Sequence, residues 1–265
     1  LRPPEQAHAD RDFVRVLAAS LGLRFEERSV NVPRVGNAEA GARRLRYAAL
    51  TDVARAHGCG VITTAHHAED QLETMLLALV RGAGPRGLRG MRPTRTLAEG
   101  LGLIRPMLGV ARADAERLCT LAGVAWRVDA TNADLTRARA LLRAKVLPVL
   151  EHLRPGAALR AAGAAELLHD ASTMIDARVR TVFGDAYNWP REALRAEPAA
   201  VVGEGLRRAF ARATRGQSND RLPRRVVEQA VGFIRSGSGE AKVYEWPRGV
   251  RVHVWRDRVS VTSPC

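Results

Sequence analysis

The run Val61-Ile62-Thr63-Thr64-Ala65 leads directly into His66-His67-Ala68-Glu69-Asp70-Gln71-Leu72-Glu73-Thr74-Met75-Leu76-Leu77. Its first part is short, apolar and β-branched, as a buried parallel strand is, and Leu72, Met75, Leu76 and Leu79 then return at helical spacing. A strand feeding a helix is the repeating unit of an open α/β sheet, whose ligand crevice lies outside the carboxyl ends of the strands. His66, His67, Glu69 and Asp70 fall at that position. Asp70, Thr74 and Arg81 share a face of the helix, with Glu73 alongside, so a polar stripe runs beside the apolar one.

The same alternation continues on both sides. Phe13, Val16, Leu17 and Leu21 predict a helix over 5–21, followed by a strand over 24–32 and a helix over 38–57. After the strand at 61–65 and the helix at 69–80 come a strand near 103–105, a helix over 112–122 and a strand near 125–128. Alternation of this kind implies a parallel sheet with right-handed crossovers. From Leu135 the chain becomes rich in alanine and arginine, with helices expected over 135–152, 157–183, 199–213 and 223–235. Lys242–Trp246, Val250–Val254 and Val259–Val261 alternate between turn-forming residues and predict a small antiparallel meander. Trp246 and Trp255 are assigned to its core.

The histidines and carboxylates of the first junction do not read as a zinc site. The i, i+4 histidine pair of a zinc helix is missing, and successive side chains leaving a strand diverge. A plainer alternative is a helix N-terminus whose carboxylates offset the dipole. What favours a functional site is the ordered string His-His-x-Glu-Asp-Gln-x-Glu-Thr followed by Arg81-Gly82, which resembles the signature of the tRNA(Ile)-lysidine synthases, a family of N-type ATP pyrophosphatases. Glu39, Arg43, Arg46 and Tyr47 fit that family's Glu-x-x-x-Arg-x-x-Arg-Tyr pattern; read alone, Glu39 and Arg43 are also an ordinary i, i+4 surface pair. Gly82-Ala83-Gly84 and Gly87–Met91 are similar to its glycine-rich loop, and Ile104–Leu108 to its Arg-Pro-Leu-Leu strand end. Asp129–Asp134, then Arg139 and Arg143 before Leu147-Pro148, resemble a further run, departing from it at Ala130 in place of proline and at Ala140 in place of asparagine. Thr131 to Asp134 also reads as a simple helix cap.

The resemblance implies ATP-dependent attachment of lysine to C2 of the wobble cytidine in the isoleucine tRNA anticodon, with ATP as co-substrate and Mg²⁺ as cofactor. His66 and Asp70 would then lie near the nucleotide, with Asp70 as a Mg²⁺ ligand. Glu39 and Arg43 would lie near the active centre, Glu73, Thr74 and Arg81 on the adjoining face, and Arg139 and Arg143 on the far wall or against RNA. The family's Ser-Gly-Gly-x-Asp-Ser phosphate loop does not occur in the sequence. The expected fold class is therefore α/β: a Rossmann-like parallel sheet whose first strands and phosphate loop are missing, followed by a mainly helical region with a small antiparallel meander. The expected domains are a partial ATP-pyrophosphatase-type catalytic domain over 1–150 and a helical tRNA-binding region over 151–265. Lysidine formation is expected to be lost in this form. A non-catalytic tRNA-binding paralogue and a related tRNA-thiolating ATP pyrophosphatase are the alternatives.

Charge agrees with a phosphate-rich partner. Lysine and arginine total 42 against 28 acidic residues, for a net charge of +14, and arginine supplies nearly all of the excess. Arg81, Arg86, Arg89, Arg92 and Arg95 cluster in a glycine-rich stretch expected to be a mobile loop, and Arg86, Arg89 and Arg92 are candidate tRNA contacts. The three cysteines, Cys59, Cys119 and Cys265, are odd in number and widely separated, which indicates neither a disulfide framework nor a metal cluster. With no long apolar run for a membrane, a cytoplasmic location is expected.

Overall fold

The structure, a computed structural model, describes residues 4–32, 38–127, 134–214 and 222–263. It divides into two compact units, Leu1–Ala83 with Gly87–Glu166, and Gly84–Arg86 with Leu167–Cys265. From the N-terminal side the elements are α1 (Pro4–Ser20), α2 (Ala38–Ala56), β1 (Val61–Thr63), α3 (Ala68–Val80), α4 (Pro85–Leu88), β2 (Thr94–Ala98), β3 (Leu101–Ile104), α5 (Arg112–Leu121) and α6 (Ala138–Leu141). A π-helical turn, Leu142–Val146, joins α6 to α7 (Leu147–Leu153).

The first unit holds a three-stranded sheet in the order β1-β3-β2. β1 and β3 run parallel, with Ile62 opposite Leu103, as a crossover through α3 requires. β2 was not anticipated and corrects the all-parallel expectation, since it pairs antiparallel with β3. Only Glu99 and Gly100 separate these two strands, and so tight a connection permits no other direction. β2 also takes up part of the stretch expected to be an irregular loop. The burial of β1 differs from expectation as well: Ile62 is buried while Val61 and Thr63 are exposed, so the strand is covered on the Ile62 face only. On that face Tyr47 and Ala54 of α2 pack with Ile62, Leu101 and Leu103. A second cluster joins Ala68 and Leu72 of α3 to Leu147 of α7 and to Ala158 and Ala162 of α8 (Ala157–Phe183).

Two further expected strands are not formed. Residues 24–32 and 125–127 make no ladder with any described strand. The first stretch is tied down by side chains instead, with Glu26 Oε1 2.9 Å from His57 Nε2 just beyond α2. Val128 lies outside the described residues. The single helix expected over 135–152 is divided by the π-helical turn, where the Leu147 N–H reaches back five residues to the Leu142 carbonyl. Pro148 explains the break, since it has no N–H to offer the carbonyl four residues earlier.

The second unit contains β4 (Asn188–Pro190), α9 (Arg191–Arg195), α10 (Ala199–Ala213), α11 (Arg224–Arg235) and the meander β5 (Lys242–Glu245), β6 (Arg251–Val254) and β7 (Arg258–Thr262). Its sheet is antiparallel throughout, in the order β4-β7-β6-β5. β4 extends the expected three-stranded meander to four. It is too short to show alternation in the sequence, and as an edge strand it accommodates Pro190 without losing a ladder bond. Val252, Val254, Val259 and Val261 point from β6 and β7 into a core shared with Leu206, Phe210, Val227 and Ile234 of α10 and α11. Trp246 is buried there, edge-on to Phe210 with centroids 5.9 Å apart. Trp255 is not in the core: it stacks against His253 at 5.2 Å and carries the Arg258 guanidinium 4.6 Å from its ring. Gly205 of α10 is required by close packing, since a Cβ there would lie 2.3 Å from the Phe183 ring.

A buried arginine closes this unit. Arg191 is 3% exposed and donates to four carbonyls: Ile234 at 3.2 Å, Phe233 at 2.6 Å, Ser238 at 2.6 Å and Trp255 at 3.1 Å. Two of these are end-of-helix carbonyls of α11, where a cation also meets the negative end of the helix dipole. Arg191→Met would strand several buried acceptors, each costing about 1–3 kcal/mol. Chemical denaturation of the variant is expected to show a loss of about 3 kcal/mol or more, and Arg191→Lys is expected to recover little because one ammonium cannot span the four carbonyls.

Candidate active site

β1 ends at Thr63 and α3 begins at Ala68, so Thr64 to His67 form the turn that the sequence marked. This turn is fastened at both ends: the Thr64 N–H donates to the Ile104 carbonyl at 3.1 Å, and the Ala68 N–H to the Val110 carbonyl at 3.0 Å. His66 Nδ1 lies 2.9 Å from Thr64 Oγ1. Burial pushes the His66 imidazole down to about 4, against the pull of Asp70 and with help from Arg105, Arg43 and Arg46. His66 is therefore a neutral ring at pH 7.

His67 behaves oppositely. Its backbone N–H donates to Asp70 Oδ2 at 3.1 Å, which closes the first turn of α3. Its Nδ1 sits 2.9 Å from Glu69 Oε2, close enough for an ion pair although out of line for a well-directed hydrogen bond. Burial works against its protonation, but Glu69 and Asp70 outweigh burial and hold His67 above its usual value. Burial alone would raise Glu69, yet His67 and the Arg112 N–H hold it below the ordinary carboxylate range. Both Glu69 oxygens are 3.0 Å from that N–H, at the N-terminus of α5.

One turn further along α3, Glu73 is completely buried. It accepts from Arg139 Nη1 at 3.2 Å and from Arg143 through Nη2 at 3.1 Å and through Nε. Arg143 Nη2 also donates to Asp70 Oδ1 at 3.0 Å, and Arg139 Nη2 reaches Thr74 Oγ1 at 3.4 Å. Asp70, Glu73, Thr74, Arg139 and Arg143 thus form one network between α3 and the helix broken at the π turn. A carboxylate with no solvent contact is tolerated only because two guanidinium groups match its oxygens. Ala140, in place of the family's asparagine, is buried between the two arginines in sequence.

A second group of arginines has no such carboxylate. The Tyr47 ring has the guanidinium carbons of Arg43, Arg95 and Arg46 at 5.1, 5.5 and 5.7 Å from its centroid. The Tyr47 hydroxyl accepts long bonds from Arg43 Nη2 at 3.5 Å and from Arg105 Nη2 at 3.4 Å. Arg105 is 4% exposed, donates from Nη1 to the Arg92 carbonyl at 2.6 Å and, among the described residues, leaves Nε without a partner. Among the described residues none of these four arginines makes an ion pair. A cation–π contact at a partly exposed site is worth about 0.5–1 kcal/mol.

Gln71 holds the chain between the two groups. Its side-chain amide donates to the Met91 carbonyl at 3.0 Å and accepts from the Met91 N–H at 2.7 Å, as a neighbouring strand would. Gly90 (φ +66°) permits this approach, since a Cβ there would lie 2.6 Å from Gln71 Oε1. The stretch 81–95, expected to be a mobile loop, is thus pinned at Met91.

The remaining sequence candidates are spread out. Arg81 is exposed at the end of α3 and does not join the Glu73 network. Arg86 is grouped with the second unit and pairs with Glu204 of α10. Arg89 is half-buried, and Arg92 is exposed with its carbonyl bound to Arg105. Glu39 lies in α2, but its side chain, like residues 128–133 with Asp129, Thr131 and Asn132, falls outside the described residues. Arg95, counted from sequence among the clustered arginines of the glycine-rich stretch, lies on β2; the sequence assigned no role to Gln71 or Arg105, although Arg105 stands in a quoted motif and Gln71 in the signature string, which was the available signal. Asp70 does not suit a divalent ion in this arrangement. Its oxygens already accept from Arg143 and from the His67 N–H, and among the described residues no three His, Cys, Asp or Glu side chains converge as metal ligands. Nor, among them, is any helix long and apolar enough to cross a membrane.

A strand-to-helix turn at a sheet's carboxyl end, carrying a neutral histidine and flanked by arginine groups, has the charge and backbone geometry that suit a polyanion on an α/β scaffold. The family model of the PP-loop domain matches residues 1–150, more than half of the chain. A protein of Salinispora arenicola named tRNA(Ile)-lysidine synthase is 37% identical over 237 residues, covering 88% of this chain and 70% of that protein. Proteins of the same name from Salinispora tropica (41% identical, 72% of this chain) and Alkalilimnicola ehrlichii (35%, 96% of this chain) are matched over 65% and 57% of their own lengths. The chain belongs to the tRNA(Ile)-lysidine synthase family of PP-loop proteins. It spans between 57% and 70% of the length of these relatives.

Two outcomes are expected from the site's electrostatics. In an NMR titration the His66 ring should change charge near pH 4, and the His67 ring only above its usual midpoint of 6.5. For His66 the folded state takes up its proton later than the unfolded chain, so this residue costs stability as pH falls from 6.5 through 4. His66→Gln should make that acid decline shallower. His67 contributes stability below pH 6.5 that is lost as pH rises through its elevated folded value, so His67→Gln should lose most stability at mildly acid pH. The second outcome concerns Glu73: Arg143→Met leaves a buried carboxylate under-paired and should cost about 3–5 kcal/mol. Glu73→Leu combined with Arg143→Met should recover most of it, as measured by a double-mutant cycle in denaturant.

Proposed function

We propose that this protein takes part in ATP-dependent attachment of lysine to C2 of the wobble cytidine of an isoleucine tRNA. The observation that carries the proposal is the convergence of Asp70, Glu73, Thr74, Arg139 and Arg143 into one network beside the His66 turn. These residues were singled out from separate stretches of sequence, and their meeting around a fully buried carboxylate is what a preorganised site requires. The names of the relatives supply the product, lysidine in tRNA(Ile).

In the first step the cytidine O2 attacks the α-phosphorus of ATP, the bond to the β-phosphate bridging oxygen breaks and pyrophosphate leaves. In the second, the lysine amine attacks C2, the C2–O bond breaks, AMP departs with the oxygen and the amine gives up a proton. Both steps need charge neutralisation and placement more than a potent nucleophile. His66, neutral at pH 7, offers a hydrogen bond near the nucleotide without adding to the local positive charge. Asp70 orients that corner through Arg143 and the His67 N–H. Glu73 is a positioning residue that fixes Arg139 and Arg143, with Thr74 holding the second nitrogen of the Arg139 fork. By the resemblance, Arg43 and Glu39 belong near the same centre and Arg81 on the adjoining face of α3. Mg²⁺ is the cation that ATP ordinarily brings, and it would supply further charge neutralisation at the phosphates. Arg86, Arg89 and Arg92 are proposed to meet tRNA phosphates, which for Arg86 means exchanging Glu204 for a phosphate.

The test is tRNA- and lysine-dependent pyrophosphate release by the complete gene product that carries these residues, with lysidine identified by mass spectrometry of the tRNA. His66→Gln and Asp70→Asn are expected to slow release at least about a hundredfold, equivalent to about 2.7 kcal/mol of transition-state stabilisation, while circular dichroism stays unchanged. Wild-type rates in both variants would remove these residues from the site, and no lysidine from the unaltered protein would overturn the assignment.

A further inference from the structure

We propose that Thr64 is a positioning residue that sets the tautomer of His66, so that the ring presents Nε2–H, a donor, to an anionic substrate. Thr64 Oγ1 lies 2.9 Å from His66 Nδ1 and, among the described residues, bonds to no other group. The neutral ring carries one proton, and which nitrogen bears it is fixed by the bond that the other nitrogen makes. A threonine hydroxyl has a single proton to give. With no other acceptor supplied by the described residues, that proton goes to Nδ1, which leaves the ring proton on Nε2. Among the described residues Nε2 has no partner and is not enclosed, so it is the nitrogen that a ligand can meet. Both groups are held in place by the end of the sheet. Thr64 directly follows β1, its N–H donates to the Ile104 carbonyl at 3.1 Å, and its β-branched side chain has few rotamers. The turn that carries His66 is tied at its far end by the Ala68 N–H on the Val110 carbonyl at 3.0 Å. With the proton on Nε2 the ring donates to a phosphate oxygen, whereas with it on Nδ1 the ring would turn a lone pair towards the anion. The same tautomer has no outward lone pair, so His66 is a donor and not the base that takes the proton given up by the lysine amine. This inference rests on the reaction proposed above for what the ring meets, while the tautomer itself is read without turnover.

The experiment is long-range proton–nitrogen correlation NMR of the histidine rings at pH 7. It compares the unaltered chain with Thr64→Val, which keeps the branched shape and removes the hydroxyl, and with Thr64→Ser, which keeps the hydroxyl. The His66 signal is identified by its loss in His66→Gln. His66 is expected in the Nε2–H form in the unaltered chain and in Thr64→Ser, and in Thr64→Val the ratio of Nε2–H to Nδ1–H should fall about fivefold, the factor that one net hydrogen bond supplies. A proton on Nδ1 in the unaltered chain, or an unchanged ratio in Thr64→Val, would overturn the proposal, and the first of these outcomes needs no variant to fold. The kinetic arm uses the complete gene product. There Thr64→Val is expected to lower kcat for pyrophosphate release about fivefold or more with KM for ATP nearly unchanged, Thr64→Ser to restore most of it, and Thr64→Val to cost nothing further in a His66→Gln background. Full additivity of the two losses would mean that Thr64 acts on the fold alone, and it would overturn the role. If the unaltered gene product makes no lysidine, the proposed reaction fails while the NMR result still decides the tautomer.

Discussion

The Glu73 carboxylate organises the first unit. A fully buried ionised group would be untenable alone, and the chain meets it with two arginines supplied from about seventy residues further on. That requirement fixes the position of α6 and the π-helical turn against α3, and it does so through charge as well as through the apolar contacts of Leu72 and Leu147. The π-helical turn fits the same demand. Pro148 frees a carbonyl and loosens the helix just after Arg143, so the guanidinium that must reach both Asp70 and Glu73 sits at a point where the backbone is no longer regular.

Much of this was legible because the determinants are local. The α3 junction announces itself through β-branched residues followed by helical spacing, and the observed helix Ala68–Val80 lies within a residue of its expected start. The long helix Ala157–Phe183 and the valine-rich strands of the second unit were legible for the same reason, each repeating its period enough times to be recognised. What escaped was tertiary. β2 carries Thr94-Arg95-Thr96, polar enough to pass for loop, and becomes a strand only because the short turn at Glu99-Gly100 folds it onto β3. β4 has three residues and no period. Residues 24–32 and 125–127 have the composition of strands but no described ladder partner, and strand character is not a property a segment holds alone.

The site divides along the same line. The signature string put His66, Asp70, Glu73 and Thr74 together because they are neighbours along one turn and helix, and the resemblance brought Arg139 and Arg143 to them from a distance. Spacing could not show that Glu73 would be fully buried while Arg81, on the same polar stripe, would stay exposed and outside the network. Nor could it show that adjacent histidines would be driven in opposite directions. Both are penalised by burial, but His66 faces arginines and has only Asp70 to oppose them, whereas His67 is flanked by Glu69 and Asp70 together.

The two arginine groups in the first unit make a physical contrast that bears on what each is for. Arg139 and Arg143 are matched oxygen for donor by Glu73 and Asp70, and a further anion arriving there would have to displace a carboxylate that cannot reach water. Such a group holds its shape and gives the surrounding turn its geometry. Arg43, Arg46, Arg95 and Arg105 meet at the face and hydroxyl of a tyrosine, and Arg105 also donates to the Arg92 carbonyl, so among the described residues this group is held without a carboxylate. His66 is kept neutral at pH 7 by burial first and then by three members of this second group, so the unbalanced charge reaches the strand-to-helix turn itself. A unit that matches one set of arginines with carboxylates and, among the described residues, leaves its neighbour without them places fixed and unbalanced positive charge on either side of one turn.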